Sequence, residues 1–280
     1  ALIEDGSAWC WGDNASGTLG DGTIVDSASP VRVSGPGVYD EIACGWNFTC
    51  GRLDSGLVRC WGTNASGQLG NPAASGESYE PVDVVGLQGA VSVVGAGLHA
   101  CAALESGEVW CWGANRDGEL GNGSTSERST VPVLVSGLSE VVRIGSAAWS
   151  GTTCAIQASG AAWCWGNNRS GSTGDGTWSE TDIQPTPVQV VGLDSVTSIS
   201  NSSVNGCAVL EGGALRCWGL MGCGINECLH GQLGTGTNES SLVPVPVMGF
   251  ENGGGRSVSA GGPRPAPPGT MARPGAGAPI

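Results

Sequence analysis

A tetrapeptide returns five times in 280 residues, and its spacing limits the possible folds more than any other feature of the chain. The copies are Trp9-Cys10-Trp11-Gly12, Arg59-Cys60-Trp61-Gly62, Trp110-Cys111-Trp112-Gly113, Trp163-Cys164-Trp165-Gly166 and Arg216-Cys217-Trp218-Gly219. Their cysteines stand 50, 51, 53 and 53 residues apart. A fixed period of this length marks supersecondary units that stack because none can bury its faces alone.

The third copy shows the content of one unit. Val91-Ser92-Val93-Val94 alternates weakly and ends at Gly95-Ala96-Gly97. His99–Leu104 reads as a second strand, Val109–Trp112 as a third and Val131–Val135 as a fourth, with Pro132 suited to an edge position where its missing N–H breaks no ladder. Four short strands in about 50 residues is one blade of an all-β propeller. The loop after each Trp repeats as well. Asn14–Gly20, Asn64–Gly70 and Asn168–Gly174 share one skeleton, in which Asn and Gly suit backbone positions with φ > 0 and Leu19 or Leu69 plugs the space beneath.

Composition narrows the function classes. The chain holds 50 Gly and 15 Pro, only 13% charged residues, and a net charge of −14 with no Lys at all. So acidic a surface repels phosphate backbones, which argues against nucleic-acid binding. Without Lys there is no P-loop lysine and no Schiff-base lysine. No apolar run reaches the roughly 18 residues of a membrane helix.

Four cysteine pairs share one separation: Cys50 and Cys60, Cys101 and Cys111, Cys154 and Cys164, Cys207 and Cys217. Between the second pair, Glu105-Ser106-Gly107 makes a three-residue hairpin loop that sets Leu104 against Glu108, and counting back brings Cys101 opposite Cys111. Directly opposed strand residues lie within disulfide reach. Four cross-strand disulfides are therefore expected, and with them an extracellular, periplasmic or cell-surface location. Reduced structural cysteines are the alternative. Zinc is disfavoured because no histidine recurs with the repeat. Cys10 finds its partner position one place before Ala1, and Cys44 either stays free or pairs with Cys10.

Trp-Gly followed by Asn-x-x-Gly-x-Leu-Gly-x-Gly-Thr, seen from Trp11 to Thr23 and nearly so from Trp112 to Ser124, resembles the regulator of chromosome condensation repeat family. The cysteine-bearing version is similar to its bacterial, exported branch. The resemblance covers residues 1–262 and implies a seven-bladed propeller, of which about five blades are present and the first is incomplete. Arg256–Gly262 begins a sixth unit, after which 263–280 turns Pro/Gly-rich and reads as a disordered or out-of-frame tail. The family often places a His two residues before the second-strand Cys; here His99 holds that place, and Phe48, Thr152 and Asn205 hold it in the other units. Family activities include nucleotide exchange on a nuclear GTPase, ultraviolet sensing through tryptophans and inhibition of β-lactamases.

Departures from a repeated scaffold are where binding is usually placed. The fifth unit carries an insertion with Met221, Cys223, Ile225, Cys228, Leu229 and His230, in which Cys223 and Cys228 are expected to form their own disulfide. Its apolar residues, with Trp178 in another irregular stretch, are candidate protein contacts. The motif tryptophans Trp11, Trp61, Trp112, Trp165 and Trp218 are expected in the core between blades, as are Trp46 and Trp149. Asp40 and Glu41 are adjacent in a strand and should point to opposite faces. No catalytic triad, metal-ligand set or cofactor motif stands out. The expectation is a non-catalytic, exported or cell-surface propeller that binds a protein, with a GTPase regulator and an inhibitor of a secreted enzyme as alternatives.

Overall fold

The structure, a computed structural model, describes residues 1–74, 76–146, 150–202, 204–220 and 231–259. All eighteen elements among them are strands. The first sheet has two, β1 (Trp9–Gly12) and β2 (Ser27–Arg32). Four sheets of four follow, each an antiparallel meander in chain order. They are β3 (Tyr39–Cys44), β4 (Phe48–Leu53), β5 (Val58–Thr63) and β6 (Glu77–Asp83); then β7 (Ala90–Gly95), β8 (His99–Leu104), β9 (Val109–Ala114) and β10 (Arg128–Leu134). The fourth sheet has β11 (Val141–Gly145), β12 (Thr152–Gln157), β13 (Ala162–Asn167) and β14 (Ile183–Gln189), and the fifth β15 (Val196–Asn201), β16 (Asn205–Leu210), β17 (Leu215–Gly219) and β18 (Ser241–Pro246). These are propeller blades, with the four strands of the third repeat where its pattern puts them; only β10 starts three residues early.

The prolines explain the outer strands. Pairing shifts register between Ser129 and Val133, so Pro132 sits in a β-bulge where no ladder bond needs its nitrogen. The Ser129 hydroxyl donates to the Val131 carbonyl at 2.7 Å, and Ser78 and Ser241 make the same bond to Glu80 and Val243.

The hairpins are tight. Leu104 N–H donates to the Glu108 carbonyl, Gly107 turns the chain at φ 80°, and Cys101 pairs directly with Cys111. Disulfides join Cys50–Cys60, Cys101–Cys111, Cys154–Cys164 and Cys207–Cys217, each with Cα atoms 4.1 Å apart. Cys10 and Cys44 are unbonded. Cys223 and Cys228 lie outside the described residues, as does all of 260–280.

What the repeated loop does becomes plain between blades. The indole N–H of Trp61 donates to the Thr18 carbonyl, Trp112 to Gln68, Trp165 to Glu119 and Trp218 to Ser172, at 2.7–2.9 Å. In each case the acceptor lies in the preceding repeat, just before the buried plug, which is Leu19, Leu69, Leu120 or Thr173. The glycine after the plug lies flat on the same indole. A Cβ on Gly121 would stand 2.9 Å from the Trp165 ring, and Gly121 has φ 62°, so both the contact and the backbone require glycine.

Two expectations need correction here. Asn14, Asn64, Asn115 and Asn168 do not adopt positive φ; their side chains hold the loop instead. Each Oδ1 accepts the N–H of the residue five places on, and each Nδ2 donates across the loop, as from Asn115 to the Ser124 carbonyl. Trp11 and Trp46 are not core: they are 54% and 44% exposed, whereas the other four motif tryptophans are fully buried. Among the described residues no loop supplies Trp11 with the carbonyl and the glycine that cover the other four. Trp149 lies outside the described residues.

Candidate interaction surface

Buried polar groups stitch neighbouring blades before any surface is formed. His99 is buried, its Nε2 lies 2.7 Å from the Thr153 hydroxyl of the next blade, and burial holds its imidazole down at about 4. Thr152, in the same place one blade later, bonds instead to the Asn167 carbonyl and the Ser172 hydroxyl. The repeat tolerates different groups here provided each finds a partner, because an unpaired polar group would carry its full desolvation cost.

The loop after β13 is fastened to the blade before it. Asp117 receives two bonds from the Arg169 guanidinium, at 2.9 and 2.7 Å, and one from Asn167 Nδ2 at 2.7 Å. Asn168 Nδ2 donates to the Thr177 carbonyl and hydroxyl and to the Asp182 carboxylate, which closes the loop over residues 168–182. Trp178 rides on this frame. Its indole N–H donates to the Arg169 carbonyl while the side chain stays 45% exposed.

One residue further along, the Ser170 carbonyl accepts the N–H of Leu220 at 2.8 Å. Leu220 is the first residue of the insertion between Gly219 and Gly231, and the only one of it among the described residues. The two departures from the repeat are therefore rooted side by side, on Arg169 and Ser170, although they stand 42 positions apart (220 minus 178). Met221, Ile225, Leu229 and His230 themselves lie outside the described residues. An exposed aromatic ring on a fixed, ion-paired base has the character of an interface anchor: a large apolar area whose ordering is already provided by the fold.

A second concavity opens between the inner strands β3, β7, β11 and β15, a cavity of about 490 Å³. Asp40, Glu41, Arg52 and Arg143 line it with serines. Asp40 and Glu41 do not point to opposite faces as simple alternation requires. A bulge between Tyr39 and Glu41 breaks the period of two, and both carboxylates reach Arg52, at 3.2 and 3.7 Å. Glu41 also accepts the Val93 N–H at 2.9 Å; burial raises its pKa, with Arg52 and Arg143 among the groups opposing that rise. These carboxylates are committed to a guanidinium and to the backbone, which is a structural use of charge. Among the described residues no group of three or more His, Cys, Asp or Glu is placed to hold a metal ion, and no helix is long and apolar enough to cross a membrane.

Comparison with known proteins fits this geometry. Residues 5–51 and 106–155 match the regulator of chromosome condensation (RCC1) repeat, and a second description of that repeat matches 40–68 and 91–119. The chain carries RCC1 repeats. The ultraviolet-B receptor UVR8 of Arabidopsis thaliana is 29% identical over 266 residues, covering 93% of this chain and 58% of the receptor. Among solved structures, the yeast RCC1 protein Prp20 bound to Kap60 superposes with a TM-score of 0.72 at 18% identity, covering 88% of this chain and 58% of that one. Human WBSCR16 superposes at 0.73 with 21% identity, covering 88% and 64%. At such identities the superpositions establish the propeller fold. The chain spans about three-fifths of the length of these RCC1-repeat relatives.

Proposed function

We propose that this RCC1-repeat propeller is a non-catalytic protein-binding module of an exported or cell-surface bacterial protein. It engages its partner through the surface around Trp178 and the insertion that begins at Leu220. The observation that carries the reading is the convergence of these two irregular segments on Arg169 and Ser170, within a scaffold whose other loops repeat one plan. Prp20, of the same fold, was crystallised with a protein bound, which fits a binding role. The four disulfides support an oxidising location, and Cys223–Cys228 would add a fifth that staples the insertion. The resemblance to the RCC1 repeat family implies that these blades belong to a propeller of about seven.

Site-specific photocrosslinking in the source cell tests the binding surface. A photoreactive phenylalanine analogue replaces Trp178 in one variant and the exposed Val25, on the first repeat, in another. The reading expects a discrete protein adduct from position 178 and none from position 25. Equal labelling at both positions, or none at 178, rejects the surface. Fractionation decides the compartment: protein found only in the reducing cytosol with free thiols contradicts export.

A further inference from the structure

Each connection from one blade to the next is pinned at both ends. Between the second and third sheets the N–H of Val85 donates to the Gly70 carbonyl, and five positions later the N–H of Ala90 donates to the hairpin carbonyl of Gly56. Ser136 and Val141 repeat this spacing, as do Val191 and Val196. The connection leaving the fifth sheet has the same two pins, Met248 to Gly234 and Gly255 to Gly213, but seven positions separate them (255 minus 248). The two extra residues make a turn at Glu251-Asn252-Gly253, with Asn252 exposed. Gln88, Ser139 and Asp194, in connections with a blade on either side, are exposed as well, so the exposure belongs to the connection itself.

The turn carries an Asn-Gly pair. A backbone nitrogen can attack the side-chain amide of the asparagine before it when it is free to approach Cγ, and glycine, with no Cβ, obstructs that approach least. The chain has three such pairs. At Asn122-Gly123 the Asn122 Oδ1 accepts the N–H and hydroxyl of Ser124, at 3.1 and 2.9 Å, and the Gly123 N–H is held by the Pro185 carbonyl of the next blade at 2.8 Å. At Asn205-Gly206 the Asn205 Oδ1 accepts the Ser202 hydroxyl, and Gly206 lies inside β16, paired with Asn201 on one side and Trp218 on the other. At the third pair, neither the Asn252 side chain nor the Gly253 N–H has a hydrogen-bond partner among the described residues.

We propose that Asn252 is a site of spontaneous deamidation, which marks the age of each molecule by placing a carboxylate in this turn. The Gly253 nitrogen bonds to Asn252 Cγ, the Cγ–Nδ2 bond breaks, and ammonia leaves with the proton from Gly253. Water then opens the cyclic imide at either carbonyl, giving aspartate or isoaspartate, the second with a methylene added to the main chain. Leu215 N–H to the Phe250 carbonyl and Gly255 N–H to Gly213 hold the flanks, so either product leaves the sheet bonded. The site is independent of the surface around Trp178.

Incubation of the whole chain at pH 8.5 and 37 °C tests it. Peptide mapping follows the mass gain at the three pairs, and methyl transfer from S-adenosylmethionine by an isoaspartyl methyltransferase reports isoaspartate. In the folded protein Asn252 is expected to convert at least about tenfold faster than Asn122 and Asn205, because only there is the attacking nitrogen free. In urea with reductant the three pairs should convert at comparable rates, and Asn252→Gln should remove most of the methyl acceptance of the folded chain. Equal rates at the three pairs in the folded protein, no conversion at Asn252, or the same preference for Asn252 in urea would each overturn the inference.

Discussion

Trp11 and Trp165 occupy the same place in the same tetrapeptide, Trp-Cys-Trp-Gly, yet Trp165 is fully buried and Trp11 is 54% exposed. Their own blades do not account for the contrast. Trp165 is covered by the preceding repeat, which supplies the Glu119 carbonyl, the Leu120 plug and the flat face of Gly121. No loop of a preceding repeat stands over Trp11 among the described residues. Each motif tryptophan therefore belongs energetically to the junction between two blades, as expected where repeat stability divides into units and nearest-neighbour interfaces.

Substitution should reproduce the contrast. Trp165→Ala is expected to cost about 3–5 kcal/mol in urea unfolding, through a large cavity and an orphaned Glu119 carbonyl, while Trp11→Ala should cost less than about 1 kcal/mol. Equal losses would break the comparison.

The next effect in size depends on pH. His99 titrates at about 4 in the folded chain, against an ordinary value of 6.5. Between those values the unfolded chain binds a proton that the native one excludes, so stability falls as pH drops from 6.5 towards 4, by at most roughly 3 kcal/mol. Below pH 4 this contribution changes no further. Carboxylates titrate nearby, so the quantity to follow is the stability of wild type relative to His99→Gln, which should be constant above pH 7 and fall as pH drops from 6.5 towards 4. A difference independent of pH would place His99 outside the buried junction.

A smaller effect concerns the staples. Opening Cys154–Cys164 by a double change to Ala should cost about 2–3 kcal/mol, the loop-closure value for a short hairpin. Cys10→Ala should cost less than about 0.5 kcal/mol, because Cys10 closes no loop within this chain.

Much of this architecture is legible in the sequence because repetition reports what each unit needs. The period of the tetrapeptide gives the blades, and a ten-residue cysteine spacing with Gly107 three places after Leu104 gives the hairpin register. What periodicity conceals is which neighbour a side chain meets. Trp11 carries the motif of a core residue, but its covering loop would come from an earlier repeat. The repeated Asn suggests positive φ, yet its value lies in a side chain that bonds both ways across the loop. Asp40 and Glu41 escape simple alternation because of a bulge that no spacing announces. The convergence of Trp178 and Leu220 was equally hidden, since it depends on two adjacent backbone carbonyls.

The junction itself is tested most directly by a double-mutant cycle between Leu120 and Trp165, residues of successive repeats that share one buried cluster. Stability of Leu120→Ala, Trp165→Ala and the double variant would be measured by urea unfolding. A coupling of about 1–3 kcal/mol is predicted, because removing either side already empties the shared contact. Additivity within about 0.5 kcal/mol would show that the tryptophan is held by its own blade, and would contradict a junction shared between neighbours.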